Sequence, residues 1–306
     1  MSLGLLFPGQ GTQYPEMLPW LDDDAAGGSG ALALLRAAVG ADWRSRLHDP
    51  AWAMRNAVAQ PLLTGACLAA WQRLAGLLPA PSAVAGYSVG ELAAFGAAGV
   101  FGADAAMQLA QARARIMDEC AAGHDGGLLS VGDAAPGLLE RLCERHGLAV
   151  AIRIAPDRAI LGGAAPALAA AAAEAARAGA TVARLAISVA SHTPWMAAAV
   201  APWRAAIDQV AFAAPVTALV CNHGGVALRR PEALRAALAA QIASTVQWDR
   251  CVETMAERRV RCVLEIGPGA TLSRLWNASR PGIPARSIDE FRSPEAAAAW
   301  ARNTLA

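Results

Sequence analysis

A serine set between glycines, Gly86-Tyr87-Ser88-Val89-Gly90, follows a short apolar run from Ser82 to Ala85 and opens the helix-forming stretch Glu91 to Ala98. That order of strand, sharp turn and helix is the pattern of a nucleophile elbow, in which glycines let the backbones pass closely and the serine hydroxyl stands clear of the sheet. The free N–H groups and dipole at the helix start favour negative charge developing on an attacked carbonyl. The predicted chemistry is acyl transfer through Ser88. A serine nucleophile also needs a base and oxyanion donors. Of the five histidines, His192 lies in Ala190-Ser191-His192-Thr193-Pro194, at the end of a predicted strand, where a loop either presents an imidazole or simply turns. Gly9-Gln10-Gly11 either brings backbone N–H groups close to a substrate or forms a tight turn and nothing more.

A predicted helix from Asp104 to about Cys120 carries two arginines with different surroundings. Leu109, Arg113, Ile116 and Cys120 recur at spacings of four, three and four, which puts Arg113 on the apolar stripe, whereas Arg115 faces Gln111 and Glu119 in a solvated arrangement. A guanidinium on a buried face needs an anion, because an unpaired buried charge costs several kcal/mol. A structural carboxylate is the simpler source, a substrate carboxylate the alternative. Gln241, grouped with Leu234, Leu238 and Thr245 on the inner stripe of a helix starting near Pro231, is a buried amide that must find partners, and a helix-locking bond would satisfy it.

The elements that must position these residues fall into two kinds. Leu3-Gly4-Leu5-Leu6-Phe7 reads as a strand stopped by Pro8-Gly9, Asp22 to Gly30 as a surface loop, and Thr217–Cys221 and Arg261–Ile266 as further strands among longer helices. Between Gly126 and Ser188 the order becomes strand (Gly127–Val131), helix (Pro136–Arg145), strand (Leu148–Ile154), strand (Arg158–Leu161), helix (Pro166–Ala178) and strand (Thr181–Ile187). That βαββαβ order is the ferredoxin-like split unit. The predicted class is therefore α/β, with a core of residues 1–125 and 189–306 and a small inserted unit of 126–188.

Composition narrows the chemistry. With 306 residues, 55% of them apolar, the chain can bury a large core, and a formal net charge of +1 without charge blocks gives no reason to expect nucleic acid or an anionic membrane as partner. All 26 basic residues are arginine, which excludes Schiff-base and P-loop lysine roles. The six cysteines show no metal spacing and suit a reducing, cytoplasmic setting; no membrane span or signal segment is expected, and no metal site.

Taken together, Phe7-Pro8-Gly9-Gln10-Gly11, Gly86-Tyr87-Ser88-Val89-Gly90-Glu91, Arg113 with Met117, Ser191-His192, Asn222, Gln241 and Glu265-Ile266-Gly267-Pro268-Gly269 resemble the malonyl-CoA:acyl-carrier-protein transacylase family, over nearly the whole chain. The resemblance implies an α/β-hydrolase-like core with an inserted ferredoxin-like subdomain. It also implies that Ser88 is acylated by malonyl-CoA, that His192 is its base, and that the N–H groups of Gln10 and Val89 form the oxyanion hole. Arg113 would pair with the malonyl carboxylate, and Gln241 would position His192 through its backbone carbonyl. The acceptor would be the phosphopantetheine-type thiol of an acyl carrier protein, with no resident cofactor. Two departures from the family pattern, Tyr87 in place of the usual histidine and Ile154-Ala155-Pro156-Asp157-Arg158 in place of Asn-x-Pro-x-Gln, point away from the usual carrier, and Gly86-Tyr87-Ser88-Val89-Gly90-Glu91 with Val189-Ala190-Ser191-His192-Thr193-Pro194-Trp195-Met196 looks most like the malonyltransferase subunit of bacterial malonate decarboxylase. The expected carrier is accordingly that of malonate decarboxylase, with a fatty-acid or polyketide carrier as the alternative. A serine hydrolase is the rival of another class, but its usual order of Ser, acid and late His is not the order found here. A non-catalytic docking subunit is the other rival, and the joint presence of Ser88, His192, Arg113 and Gln241 argues against it.

Overall fold

In the computed structural model the described residues are 2–22 and 30–306. Most of the predicted Asp22–Gly30 loop, residues 23–29, lies outside them. The strands in chain order are β1 (Leu3–Phe7), β2 (Pro81–Gly86), β3 (Gly126–Gly132), β4 (Ala149–Ala155), β5 (Arg158–Ala164), β6 (Thr181–Arg184), β7 (Ala218–Cys221), β8 (Val226–Leu228), β9 (Val246–Gln247), β10 (Cys262–Glu265) and β11 (Ala285–Ser287). They form a six-stranded sheet of order β11-β10-β1-β2-β7-β8 and a five-stranded sheet of order β6-β3-β5-β4-β9.

The larger sheet is parallel except for β8, which runs antiparallel along the edge of β7. Helices cover both of its faces, so β1 is buried at every position and reads as an unbroken apolar run rather than an alternating one. The helix Asn56–Leu74 packs beneath it and is apolar almost all round, as a helix enclosed on every side must be. β1 and β2 are in register through Phe7 and Gly86, so the Pro8–Gly11 loop and the Tyr87–Val89 turn leave the sheet side by side.

In the smaller sheet β6-β3-β5-β4 is the antiparallel order of a βαββαβ unit. Its helices, Leu138–His146 and Ala165–Arg177, cover one face through Leu142, Leu168 and Ala171. The other face, through Leu128, Ile152 and Ile160, joins one apolar cluster with Leu6, Val220, Trp248 and Leu272 of the larger body. The fold is thus an α/β-hydrolase-like core carrying a ferredoxin-like subdomain.

The expected elements shift in particular ways. β6 stops at Arg184 rather than Ile187, because the chain leaves the small sheet there to cross toward His192. β8, β9 and β11 have two or three residues each and no pattern of their own; they exist because a neighbouring strand offers hydrogen bonds. β9 adds to the small sheet in parallel with β4, pairing Ile152 with Val246. The helix Pro231–Gln241 ends on Gln241, so Thr245 is not on its stripe; its hydroxyl donates instead to Val150 O at 2.7 Å.

Candidate active site

β2 ends at Gly86 and the next helix begins at Gly90, leaving three residues to reverse the chain. Ser88 takes the strain of that turn with φ of 55°, a left-handed conformation uncommon for a residue with a side chain. A methyl group on Gly86 would sit 2.2 Å from the Gly90 carbonyl carbon, and one on Gly90 would sit 2.3 Å from Phe7 O, so both must be glycine. The turn is tied to its surroundings by Tyr87 N–H donating to Phe7 O at 2.9 Å and Ser88 N–H donating to Asn222 Oδ1 at 2.9 Å. Asn222 is oriented in turn by its Nδ2, which donates to Gly86 O at 2.6 Å.

The Ser88 hydroxyl lies 2.7 Å from His192 Nε2. The other imidazole nitrogen, Nδ1, lies 2.8 Å from the backbone carbonyl of Gln241, which only accepts, so Nδ1 carries the proton and Nε2 is left to accept from Ser88. His192 also has a positive φ, 62°, and its own N–H donates to Ile242 O at 3.0 Å, so backbone as well as ring is anchored on the end of the Pro231–Gln241 helix. Burial, together with the nearby positive charge of Arg113, pushes the imidazole pKa down to about 3. The ring is a neutral acceptor at physiological pH.

Arg113 comes from the helix Ala103–Ala121 and is 2% exposed, as its place on the apolar stripe predicts. Its NH1 donates to Gln60 Oε1 at 2.9 Å and its NH2 to Gln241 Oε1 at 3.0 Å. The expectation of a structural carboxylate directly on the guanidinium is therefore corrected: its hydrogen-bond partners are amide oxygens, and desolvation lowers its pKa to about 10 despite the pull of Glu91. Arg115 forms the solvated pair with Glu119 at 3.0 Å. Gln241 is satisfied across the site rather than along its helix, its Nε2 donating to Ser88 O and Glu91 Oε2, each at 2.9 Å. Sequence reasoning did not single out Gln60; the available signal was an amide inside the apolar run Ala57 to Leu63 of a helix buried on every side.

The remaining candidates, Gln10 and Val89, differ in what surrounds them. Their backbone N–H groups have no hydrogen-bond partner among the described residues, and Val89 caps the helix that starts at Gly90. The Gln10 side chain donates away to Met54 O at 2.9 Å, which fixes the loop. Gln10 and Tyr87 form part of the wall of a cavity of about 430 Å³ between the two sheets, with Ile154, Arg158 and Leu275 further along it. Tyr87 leans edge-on against Trp248, ring centres 5.1 Å apart. A half-buried hydroxyl on a neutral, buried imidazole, unpaired N–H groups nearby and a fixed cation are what attack on an acyl carbonyl requires. Among the described residues no group of histidine, cysteine or acidic side chains could hold a metal ion.

The acyl transferase domain model matches residues 5–304. The malonyl CoA-acyl carrier protein transacylase of Mycobacterium tuberculosis is 36% identical over 297 residues, 94% of this chain and 96% of that one. The malonyl-CoA:acyl carrier protein transacylase of Xanthomonas oryzae superposes with a TM-score of 0.86 at 28% identity, covering 99% of each chain. A malonyl-transacylase solved in complex with a type II polyketide synthase acyl-carrier protein superposes at 0.88 with 26% identity, covering 96% of this chain and 98% of that one. Since the likeness runs end to end in sequence and in shape, the chain belongs to the acyl transferase family that contains the malonyl-CoA:acyl-carrier-protein transacylases.

Proposed function

We propose that the protein moves a malonyl group from malonyl-CoA to the thiol of an acyl carrier protein through an ester on Ser88. The observation that carries this reading is the Ser88–His192 contact of 2.7 Å beside a buried guanidinium held only by neutral amides. Ser88 Oγ attacks the thioester carbonyl while its proton passes to His192 Nε2; the C–S bond breaks and the imidazolium returns the proton to the CoA thiolate. The carrier thiol then gives its proton to His192 and attacks the ester; the ester C–O bond breaks and the imidazolium returns the proton to Ser88 Oγ. The N–H groups of Gln10 and Val89 hold the oxyanion, and Arg113 binds the malonyl carboxylate. A thiol, with a pKa near 8.5, leaves easily enough that a carbonyl suffices where a serine protease uses an acid. No resident cofactor enters these steps.

The names of the relatives support a fatty-acid or polyketide acyl carrier over the malonate decarboxylase carrier put first on sequence grounds. The second reading retains one observation, that Tyr87, Ile154 and Arg158 line the cavity the carrier thiol would enter. A carrier panel decides: with malonyl-CoA as donor, holo-carriers of fatty-acid synthesis and of malonate decarboxylase compete, and mass spectrometry reads which is malonylated. No Ser88 ester and no malonylated carrier would remove the transferase reading itself. The division into a 1–125 and 189–306 core and a 126–188 insert goes with this proposal, supported by β3 to β6 all falling inside the insert. So does a cytoplasmic setting, which suits the free thiols.

A further inference from the structure

Behind the elbow lies a carboxylate that the transfer chemistry does not use. Glu91, in the first turn of the helix Gly90–Ala97, is 1% exposed. Its Oε1 accepts the Asn222 N–H at 2.7 Å and its Oε2 accepts the Gln241 side-chain N–H at 2.9 Å. It touches neither Ser88 Oγ nor His192, yet each of its partners touches the site. Asn222 holds the Ser88 N–H, and Gln241 holds Arg113.

The Gln241 amide has two unlike ends. Its NH2 faces Glu91 and Ser88 O, and its oxygen faces the guanidinium. A carboxylate only accepts, so this amide has one allowed orientation. Reversed, its oxygen would meet two acceptor oxygens and its NH2 would meet the NH2 of Arg113, four groups left without partners in a buried place. Burial raises the Glu91 carboxyl to about 8 even against the Asn222 and Gln241 donors and the Arg113 charge, which favour its ionised form, so it is a full carboxylate, accepting at both oxygens, above that pH.

We propose that Glu91 is a positioning residue for acyl-group choice: by accepting from Gln241 it turns the amide oxygen toward Arg113 and fixes the guanidinium fork where it reads a substrate carboxylate. Gln60 holds the other arm of the fork at 2.9 Å, so the orientation is set from both sides. The inference rests on the reading of Arg113 as the carboxylate partner. It adds a residue that selects the acyl group without contacting it.

Glu91→Gln tests it, because the shape is kept while one acceptor becomes a donor. With its oxygen on Asn222 N–H, the new side chain presents NH2 to the Gln241 NH2, donor against donor, and pushes that amide off its bond with Arg113. The ratio of Ser88 acylation rates with malonyl-CoA and acetyl-CoA should drop about tenfold, the scale of a lost charge-assisted hydrogen bond, and the loss should lie in the malonyl-CoA KM. Gln241→Leu, which removes the relay from its other end, should lower the same ratio, and the double variant should lower it no further than Gln241→Leu alone. Equal losses with both donors would mark Glu91 as a brace for its helix and overturn the proposal, as would losses that add in the double variant. If Glu91→Gln does not fold, an unchanged ratio in Gln241→Leu is enough to overturn it. Should Arg113→Ala keep its malonyl preference, the functional reading fails; should Arg113→Ala lose it while both relay variants keep it, only this inference fails.

Discussion

Deleting the Ser88 hydroxyl removes the atom that would carry the acyl group, so Ser88→Ala should slow malonyl transfer by at least about a thousandfold, read by intact-mass detection of the enzyme ester. His192 gives a sharper test. An ordinary imidazole would lose its function as pH falls through about 6.5. Here the folded pKa is lowered to about 3, so kcat/KM for acylation should stay level from pH 7 to pH 5, with its acid limb below that range. The stability sign runs the other way: between the unfolded value near 6.5 and the folded value the unfolded chain takes up a proton that the native ring refuses, so unfolding becomes easier as pH falls across that window. A rate that halves near pH 6.5 would show that the ring is wetter in solution. Arg113→Ala should cut malonyl transfer by roughly 10- to 150-fold while acetyl transfer holds, and Arg115→Ala, on the solvated face, should change little. The turn at Ser88 and the burial of Arg113 were legible from residue type and local spacing, whereas His192 was one of two readings of its loop. The bonds to Gln60, Glu91 and Asn222 were not legible, because each joins residues at least 53 positions apart in the chain.

At the scale of elements, the site depends on two helix ends. The helix Gly90–Ala97 begins under Ser88, and the helix Pro231–Gln241 ends against His192. In the proposed mechanism the unpaired N–H of Val89, at the cap of the first, and the dipole behind it would face developing negative charge, and the second would turn carbonyls toward a ring that becomes positive. Gly90→Ala probes the first. Its added carbon would come within 2.3 Å of Phe7 O, so β1 and the elbow must part, at a cost of about 3 kcal/mol, seen as a lower urea midpoint. An unaltered midpoint would show that the elbow and β1 have room to move apart. The elbow helix and the central strands were readable because their apolar patterns are local. The end of the second helix was misplaced past Gln241 because Thr245 continues the helical spacing while its hydroxyl is drawn off to β4.

The whole molecule closes its cleft between two sheets that share one apolar cluster. Leu128, Ile152 and Ile160 cannot leave Val220 and Trp248 without exposing both bodies, so the protein should unfold as one cooperative unit. Thiol labelling in urea checks this, since Cys143 reports on the small body and Cys251 on the large one. Their labelling midpoints should coincide; a separate, earlier midpoint for Cys143 would show that the small body opens alone. The βαββαβ order of the small sheet was foreseeable from the change of pattern at Gly126, whereas the β9 graft onto β4 was not, since two residues carry no periodicity. The carbonyl that holds His192 has a consequence for heredity. A protease triad stores its acid in a codon, and a single base change can erase it. Here the group facing Nδ1 is a backbone oxygen of residue 241, which every amino acid possesses, so no substitution at that position deletes it. The lineage can change the side chain at 241, and with it the grip on Arg113, while the support of the imidazole is inherited with the path of the chain.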